Sequence, residues 1–283
     1  MSREAKPRSG YHTRMSTRGW SVVALAVLCL STVAIAAQRS EPFTPEIGQP
    51  GKDVVWVPTP EPLVEKMLDL AKVGANDFVI DLGSGDGRNV IGAARRGARA
   101  LGVEYNPDMV ELSRRKATEA GVAARATFER GDMFQADISR ATVMALFLLP
   151  SNLLQLRPKF LALAPGSRIV SNTFLIADWP PDASIALEEA CEMWCEAHLW
   201  IVPAQVGGRW RLGDGELALT QTFQRLSGTL SVGPSSTPVN GTLRGNEIEL
   251  SSGTTSWKGR VGDGALELQS SEGRRITATR VRG

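Results

Sequence analysis

The chain has 283 residues, of which 42% are hydrophobic, so it is long enough for two domains and can bury a substantial core. The formal net charge is +2, and the first twenty residues carry a net +4, which leaves −2 for the remainder. This balance argues against a nucleic-acid partner bound through broad charge neutralisation.

Residues 1–37 are predicted to be a signal peptide or a membrane anchor. A basic segment precedes an uncharged run from Ser21 to Ala37, and Ala34-Ile35-Ala36 offers a small-residue cleavage site. The run is short for a membrane span, which needs about 20 residues, so cleavage is the preferred interpretation. The alternative is an uncleaved anchor that attaches the protein to a membrane through residues 20–37. In both cases the body of the chain is expected outside the cytoplasm.

Residues 38–53 are polar and rich in Pro and Gly, which predicts a linker. Thr59 is then expected to be the N-cap of a helix, with Pro60 at the first helical position. The apolar face of that helix is predicted from the spacing of Leu63, Val64, Met67, Leu68 and Ala71.

The most informative stretch is the loop of residues 81–87, which follows an apolar strand at Phe78 to Ile80. It contains three glycines at alternate positions (Gly83, Gly85 and Gly87), with Asp81, Ser84 and Asp86 between or beside them. A dinucleotide site requires G-x-G-x-x-G and a ligand pyrophosphate, which two carboxylates would repel. The carboxylates suit a ligand with a cationic head, such as S-adenosylmethionine (SAM). An ordinary turn between a strand and a helix is the alternative.

A second strand, Arg99 to Glu104, ends in an acid that can accept hydrogen bonds from ribose hydroxyls. The glycine loop together with Glu104 therefore predicts a SAM site. The helix Pro107 to Gly121 and the strand Ala126 to Glu129 follow, and that strand leads to Asp132 and Met133.

Three segments resemble a known family: Asp81-Leu-Gly-Ser-Gly-Asp-Gly-Arg88, Val57-Pro-Thr-Pro60, and Ala141-Thr-Val to Leu148-Leu-Pro150. The first resembles the SAM motif of class I methyltransferases. Together they resemble the ATP synthase c-subunit lysine methyltransferase family and its bacterial relatives, over roughly Val54 to Asp182. The resemblance implies N-methylation of a protein lysine.

The resemblance also implies roles for individual residues. Thr59 would lie against the cofactor, although capping alone explains it equally well. Asp132 would bond the adenine amino group and Met133 would stack on the ring; their alternative is a loop acid and a core methionine. The predicted SAM-binding set is Thr59, Asp81, Gly83, Ser84, Gly85, Asp86, Gly87, Glu104, Asp132 and Met133.

A nearly unbroken apolar run, Thr142 to Leu149, predicts a central parallel strand, after which Ser151 is expected to cap a helix. Arg168 to Phe174 follows as another strand. The alternation of strands and helices predicts a Rossmann-like, doubly wound α/β sheet with its ligand crevice at the strands' carboxyl ends. No obvious base follows the central strand, so Asn152 and Asn172 are the candidate catalytic residues, which would orient an acceptor amine.

Cys191 and Cys195 are expected on one face of a helix, a geometry that fits a disulfide poorly. No metal site is predicted, because the chain has no second cysteine pair and no suitably spaced histidine cluster.

From about residue 205 the chain changes to short alternating runs between Gly-rich turns. Leu217, Leu219 and Phe223 are expected to face one way, while Glu216, Thr220 and Thr222 face the other. This pattern predicts a C-terminal antiparallel β module over residues 205–283, either a small barrel or a curled meander. It follows a methyltransferase domain predicted over residues 54–204, and is interpreted as a structural cap or as a module that binds a ligand or recruits substrate.

The sequence thus favours a SAM-dependent methyltransferase that acts on a protein lysine. A small-molecule methyltransferase and a non-enzymatic exported binding protein on a degenerate scaffold are the alternatives. SAM is made in the cytoplasm, whereas the N-terminal signals indicate export. Either the segment is no export signal, or SAM reaches the other side, or the site has lost its activity.

Overall fold

The computed structural model describes residues 2, 10, 43–188 and 191–281. The predicted signal peptide or anchor therefore lies outside the described residues, apart from Ser2 and Gly10, and so does the first part of the predicted linker. All helices in the described part of the chain are too short or too polar to span a bilayer.

A seven-stranded sheet with the order β3-β2-β1-β4-β5-β7-β6 forms the first half of the fold. Strands β1 to β5 are parallel, while β7 runs antiparallel to both β5 and β6. The strands are β1 Phe78–Leu82, β2 Arg99–Glu104, β3 Ala126–Arg130, β4 Val143–Leu146, β5 Arg168–Asn172, β6 Ala183–Ala186 and β7 Glu196–Ile201. The helices are α1 Glu61–Leu70, α2 Arg88–Arg95, α3 Pro107–Glu119 and α4 Pro150–Leu161. The predicted Rossmann-like sheet is confirmed.

The sheet is buried on both faces, because alternate residues of its central strands belong to two different cores. One core joins Val79 and Val143 to the helices α1, α2 and α3. The other joins Ile80 and Met144 to α4. This arrangement explains why the central strands are continuous apolar runs rather than alternating ones.

The second half of the fold is a closed barrel of eight antiparallel strands, as the predicted β module allowed. Its strands are β8 Gly208–Leu212, β9 Gly215–Thr222, β10 Arg225–Val232, β11 Ser235–Arg244, β12 Glu247–Ser252, β13 Thr255–Val261, β14 Ala265–Ser270 and β15 Arg275–Arg280. Leu217 and Leu219 point into the barrel core, in agreement with the predicted alternation. Phe223, expected on the same face, instead packs against Trp179 of the sheet half. Pairing of β15 with β8 closes the barrel, and closure leaves no free strand edge.

Two strand-interior glycines allow the barrel strands to approach closely. A Cβ at Gly228 would lie 1.9 Å from the Ala218 carbonyl oxygen, and one at Gly259 would lie 1.9 Å from that of Glu267. A side chain at either position would therefore collide with the neighbouring strand's backbone.

The barrel packs against the sheet half of the molecule. Trp179 stacks on Phe223 with 5.5 Å between ring centroids. Gln224 Nε2 donates to the Pro180 carbonyl oxygen at 2.7 Å, and Ala204 N donates to the Gly245 carbonyl oxygen at 2.8 Å. The two halves thus share apolar and hydrogen-bonded contacts.

The prediction of a helix around Cys191 and Cys195, with a geometry that fits a disulfide poorly, is wrong. The described residues between β6 and β7 form a loop, in which a disulfide joins the two cysteines with 5.8 Å between their Cα atoms. Trp194, inside this loop, has φ of 62°, a conformation that no helix contains. Pairing of β7 with β5 overrides the local helical pattern, because it buries Leu199 and Trp200 in the core.

Two predicted helix caps are also wrong. Helix α1 has Pro60 rather than Thr59 at its N-cap. Helix α4 begins two residues earlier than expected, with Leu149 at the N-cap and no side-chain cap hydrogen bond. Both helices have a proline in the first turn instead, Pro62 in α1 and Pro150 in α4, where its fixed φ suits a helix start and its missing N–H costs no hydrogen bond.

Candidate active site

The glycine loop lies at the carboxyl edge of the sheet, beside the end of β2. Leu82 of β1 is level with Val103 of β2, and the amides of Gly83 and Ser84 both donate to the Val103 carbonyl oxygen, at 2.8 and 3.2 Å. This register brings the loop next to Glu104. The glycine-rich turn and the acid therefore meet although 17 residues separate them.

Gly85 has no room for a side chain. Its φ is +55°, and a Cβ there would lie 2.6 Å from Trp56 Nε1. Gly87 is similar, since a Cβ would lie 2.7 Å from the Phe128 ring. The loop therefore forms a shallow backbone cradle under Trp56, a shape that only glycine permits.

Glu104 is held in place by main-chain donors. One carboxylate oxygen accepts from Gly85 N at 2.9 Å, and the other accepts from Asn106 N at 2.9 Å. Each oxygen keeps a further lone pair for a ligand hydroxyl. Glu104 is thus oriented towards the cavity that it lines.

Asp81 is a buried carboxylate with few partners. It is 3% exposed, and its one hydrogen bond among the described contacts comes from Asn89 Nδ2 at 3.1 Å. Burial raises the pKa of Asp81 well above its ordinary value, and the charges of Glu104 and Asp86 raise it further, against the opposing effect of Asn89. A cationic ligand such as the ammonium group of SAM would relieve this cost, and the contact of Asp81 with SAM stays a prediction.

Asp86 faces protein cations instead. Arg88 donates to both of its oxygens, at 2.9 and 2.8 Å, and Lys116 Nζ donates at 2.6 Å. Burial alone would raise the pKa of Asp86, but Arg88 and Lys116 together lower it. The carboxylate is already neutralised, which favours a structural role. Its contact with SAM stays a prediction.

Asp132 and Met133 lie on the far side of the larger cavity. Asp132 accepts from Lys52 Nζ at 2.6 Å and from Phe134 N at 2.8 Å, and the hydrogen bond from Lys52 is the main cause of its lowered pKa. Met133 is buried and lines the cavity. Lys52 therefore occupies the carboxylate that was expected to bond an adenine amino group.

A chain segment that the sequence analysis did not place at the site covers the cavity. We call residues 48–57 the strap. Its two ends are joined by hydrogen bonds from Gly48 N to the Trp56 carbonyl oxygen, at 2.8 Å, and from Trp56 N to that of Gln49, at 3.0 Å. The strap includes the last residues of the predicted linker. Its lone tryptophan among prolines was the sequence signal that could have indicated a packed segment.

Two cavities adjoin the glycine loop and share Trp56, Val57, Gly83 and Phe147 as lining residues. The larger is partly open to solvent and is lined by Glu104, Tyr105, Asp132 and Met133 among others. The smaller is lined by Thr59, Asp81, Ser84 and Gly85 among others. The Ser84 hydroxyl is buried without a hydrogen-bond partner.

These features fit SAM. The larger cavity offers carboxylates for hydroxyl and amino donors, and the smaller offers the buried carboxylate of Asp81 with the unpartnered hydroxyl of Ser84. Gly83 of the glycine loop lines both cavities. A ligand with a nucleoside at one end and an amino acid at the other matches this division.

The two candidate catalytic asparagines are placed elsewhere. Neither Asn152 nor Asn172 is among the described residues that line the two cavities. Asn172 is fully buried, where its amide donates to Thr59 Oγ1 at 3.2 Å and its oxygen accepts from Thr173 Oγ1 at 2.9 Å. Asn152 is buried with an unpartnered Nδ2. The positions of the two asparagines near strand ends suggested a contact with substrate, but both side-chain amides are buried in the protein interior.

Comparisons with known proteins agree with this site. Residues 81–183 match the family model described as the ANTKMT methyltransferase domain. A protein-lysine N-methyltransferase of Saccharolobus islandicus is 42% identical over 139 residues, which are 48% of this chain and 86% of that protein. The chain belongs to this family of lysine methyltransferases.

Two further similar proteins are consistent with this family assignment. The ATP synthase c-subunit lysine N-methyltransferase of Xenopus laevis is 30% identical over 60% of this chain and 74% of that protein. A solved RNA methyltransferase from Salinibacter ruber, in complex with S-adenosyl-L-homocysteine, is 47% identical with a TM-score of 0.50. The match covers 53% of this chain and 96% of the Salinibacter ruber chain. SAM is therefore the cofactor, and the protein is a SAM-dependent methyltransferase.

The methyltransferase also has an aromatic cluster that the sequence analysis missed. Phe147, Phe174 and Trp194, which we call the aromatic triad, have ring centroids separated by 6.0, 5.6 and 5.4 Å. Phe147 lines both cavities. Phe147 therefore belongs both to the triad and to the lining of the two cavities.

Proposed function

We propose that this methyltransferase N-methylates a lysine side chain of a protein by in-line transfer. The observation that carries the proposal is the apolar character of the edge beyond Phe147, where an acceptor would approach. The central strand β4 continues there into Leu148, Leu149 and Pro150 rather than into an acid. When bound, SAM supplies a methyl group attached to a cationic sulfur. The lone pair of an unprotonated amine forms the new bond to the methyl carbon, and the electron pair of the broken carbon–sulfur bond stays on the sulfur.

An acceptor amine must lose its proton before it can act as a nucleophile. Desolvation lowers the pKa of an amine, because it disfavours the charged form. The half-buried rings and the neighbouring leucine side chains provide such a desolvated environment without a dedicated base. The main task left to the protein is to hold the amine close to the reacting carbon and collinear with the breaking bond.

The carboxylates at the site have other tasks. Glu104 is held by main-chain donors, Asp132 by Lys52, and Asp86 by Arg88 and Lys116. We infer that Asp81 and Glu104 hold the cofactor. Proton removal is left to solvent after the acceptor enters.

Charge favours a protein over RNA as the acceptor, although one similar structure is named an RNA methyltransferase. The loop that carries Trp194 is flanked by the exposed side chains of Glu188, Glu192 and Glu196. Negative charges at the entrance attract a lysine and repel phosphates. The names of the lysine methyltransferase relatives point in the same direction.

The test uses SAM labelled with tritium in the methyl group, the purified protein, and a cell extract divided into protein, RNA and small-molecule fractions. We expect label in the protein fraction, sensitive to protease and recovered as methyl-lysine after acid hydrolysis. Label that nuclease releases, or that stays with the small molecules, would replace the lysine proposal by one of its alternatives. SAM binding without transfer to any fraction would indicate a binding protein.

We also propose that the mature chain acts outside the cytoplasm, free or anchored through residues 20–37. The basic N-terminus followed by an apolar run supports this location, and so does the disulfide, because disulfides persist in oxidising compartments. N-terminal sequencing of protein from fractionated cells should find a chain that begins near Ala37. A cytoplasmic product that retains Trp20 to Ala36 would contradict the proposal.

A further inference from the structure

The aromatic triad lies where three neighbouring strands of the sheet place their ends. Phe147 follows β4, Phe174 follows β5, and Trp194 precedes β7. Because β7 runs antiparallel to β5, its beginning meets the carboxyl ends of β4 and β5. Sheet topology, rather than sequence proximity, therefore gathers these rings at the ligand edge.

The rings are held in place although they are only half-buried. The residue before Phe174 is fixed on two sides, since Thr173 N donates to the Glu196 carbonyl oxygen at 2.8 Å and its own carbonyl lies 3.1 Å from His198 Nε2. The loop of Trp194 is closed by the disulfide and by a hydrogen bond from Leu187 N to the Cys195 carbonyl oxygen at 2.8 Å. Such restraint on partly exposed rings is typical of a preformed binding surface.

The chemistry of the triad suits an alkylammonium group. Aromatic faces attract cations and also contact methylene groups, and half-buried rings provide partial desolvation. The adjoining side chains of Leu175 and Met193 are exposed and extend the apolar surface. Glu188, Glu192 and Glu196, in and beside the loop of Trp194, are exposed and add negative charge to this part of the chain.

We propose that Phe147, Phe174 and Trp194 form the specificity site that receives the acceptor's lysine side chain. The inference rests on the proposed function and names the residues that carry it out. The methylene stem lies against the rings, and the amine end is directed towards the cavities along Phe147. Attraction of the ammonium to the ring faces serves capture, and the amine gives its proton to water at the exposed side of the half-buried rings before transfer.

The first experiment measures binding without catalysis. N-acetyl-lysine methylamide and its norleucine counterpart are titrated into the full chain by isothermal calorimetry, a readout that does not depend on Trp194 itself. Norleucine has the same stem without the ammonium, so we expect the lysine probe to bind at least about fivefold more tightly. Trp194→Leu should abolish that preference and Trp194→Phe should retain most of it, because phenylalanine keeps an aromatic face. Equal binding of the two probes to the wild type would overturn the proposal.

The second experiment uses the acceptor protein found with labelled SAM. Phe174→Leu and Trp194→Leu should raise KM for the acceptor by about fivefold or more, while SAM affinity by calorimetry stays within about twofold. Phe223→Leu is the matched control, because Phe223 is also a half-buried ring in a stacked pair, against Trp179. It should leave KM for the acceptor unchanged.

The outcomes separate the two proposals. Lysine methylation by the wild type with an unchanged KM in both triad variants would remove the triad and keep the proposed function. Absence of lysine methylation together with probe binding that depends on Trp194 would keep the alkylammonium site and overturn the proposed function. The change in melting temperature of each variant shows whether a lost effect comes from unfolding.

Discussion

The carboxyl edge of the sheet and the barrel are built from similar residues but use them differently. Both contain positive-φ glycines: Gly85 in the sheet loop has φ of +55°, and Gly233 in a barrel turn has φ of +59°. A Cβ at Gly85 would collide with Trp56, whereas one at Gly233 would meet nothing within 4 Å. The same backbone conformation thus lets Trp56 pack against the loop in one region and only reverses the chain in the other.

Topology explains the difference. Parallel strands need long crossovers, so the residues that meet at one edge come from distant parts of the chain. Glu104, Asp132 and Phe147 meet there in this way. Barrel strands are joined by short hairpins, and their inward side chains fill the interior. Cofactor binding should therefore depend on single residues at the edge and be insensitive to equivalent changes in the barrel.

The largest effect is expected at Glu104. Glu104→Ala should weaken SAM binding by about ten- to a hundredfold, because hydrogen bonds that involve a charged group are lost and the Gly85 amide loses its acceptor. Calorimetry with SAM and S-adenosylhomocysteine measures the change. Glu249→Ala is the barrel control, since Glu249 is an exposed acid paired with Lys258 at 2.8 Å. An unchanged affinity in Glu104→Ala would remove this residue from the site.

A second prediction compares two glycines. Gly85→Ala should lower SAM affinity by about tenfold, because Trp56 must move to accommodate the new methyl group. Gly233→Ala carries a similar backbone strain without a steric clash, so it should lose about 1 kcal/mol of stability and no affinity, while Gly85→Ala should lose more stability and also affinity. Equal loss of affinity in both would show that strain, not the cradle, decides binding.

The third prediction concerns the pH dependence of two neighbouring acids. The folded-state pKa of Asp81 is raised, so its contribution to stability is present at low pH and is lost as pH rises through that pKa. The folded-state pKa of Asp86 is lowered, so its contribution is present at neutral pH and is lost as pH falls through that pKa. Asp81→Asn should therefore raise the melting temperature of the ligand-free protein at pH 7, and Asp86→Asn should lower it.

Calorimetric melting with and without SAM tests this pair. Each shift should be about 3 °C or more. Asp81→Asn should also reduce the stabilisation that SAM provides, since the cationic ligand loses its buried carboxylate. Shifts of the same sign in the two ligand-free variants would contradict the assigned roles.

The smallest effect on SAM affinity is expected from removal of the barrel. Deletion of Val206 to Gly283 should leave SAM affinity within about tenfold, because the predicted cofactor residues all precede residue 134. The deletion exposes Trp179, which stacks on Phe223, so the melting temperature should fall or the protein should aggregate. A folded, monomeric truncation that has lost SAM binding entirely would place part of the site in the barrel.

Local sequence was sufficient for features that depend on neighbouring residues. The strand before the glycine loop, the loop itself and the acid that ends the next strand are each set by short apolar runs and by glycines that only certain turns require. The alternating runs after residue 205 predicted antiparallel strands for the same reason. Even the end of β2 at Glu104 agrees with the structure.

Tertiary structure decided the features that join distant segments. The helical pattern around Cys191 and Cys195 was overridden by pairing of β7 with β5, which placed Trp194 beside Phe147 and Phe174. Lys52 contacts Asp132, which is 80 residues away in the sequence. The strap covers the cavity because its packing and hydrogen bonds, rather than its composition, fix its position. A sequence shows which side chains a chain possesses and the local shapes they favour. Which of them meet at one edge depends on burial and strand order, because these are settled only when the whole core forms.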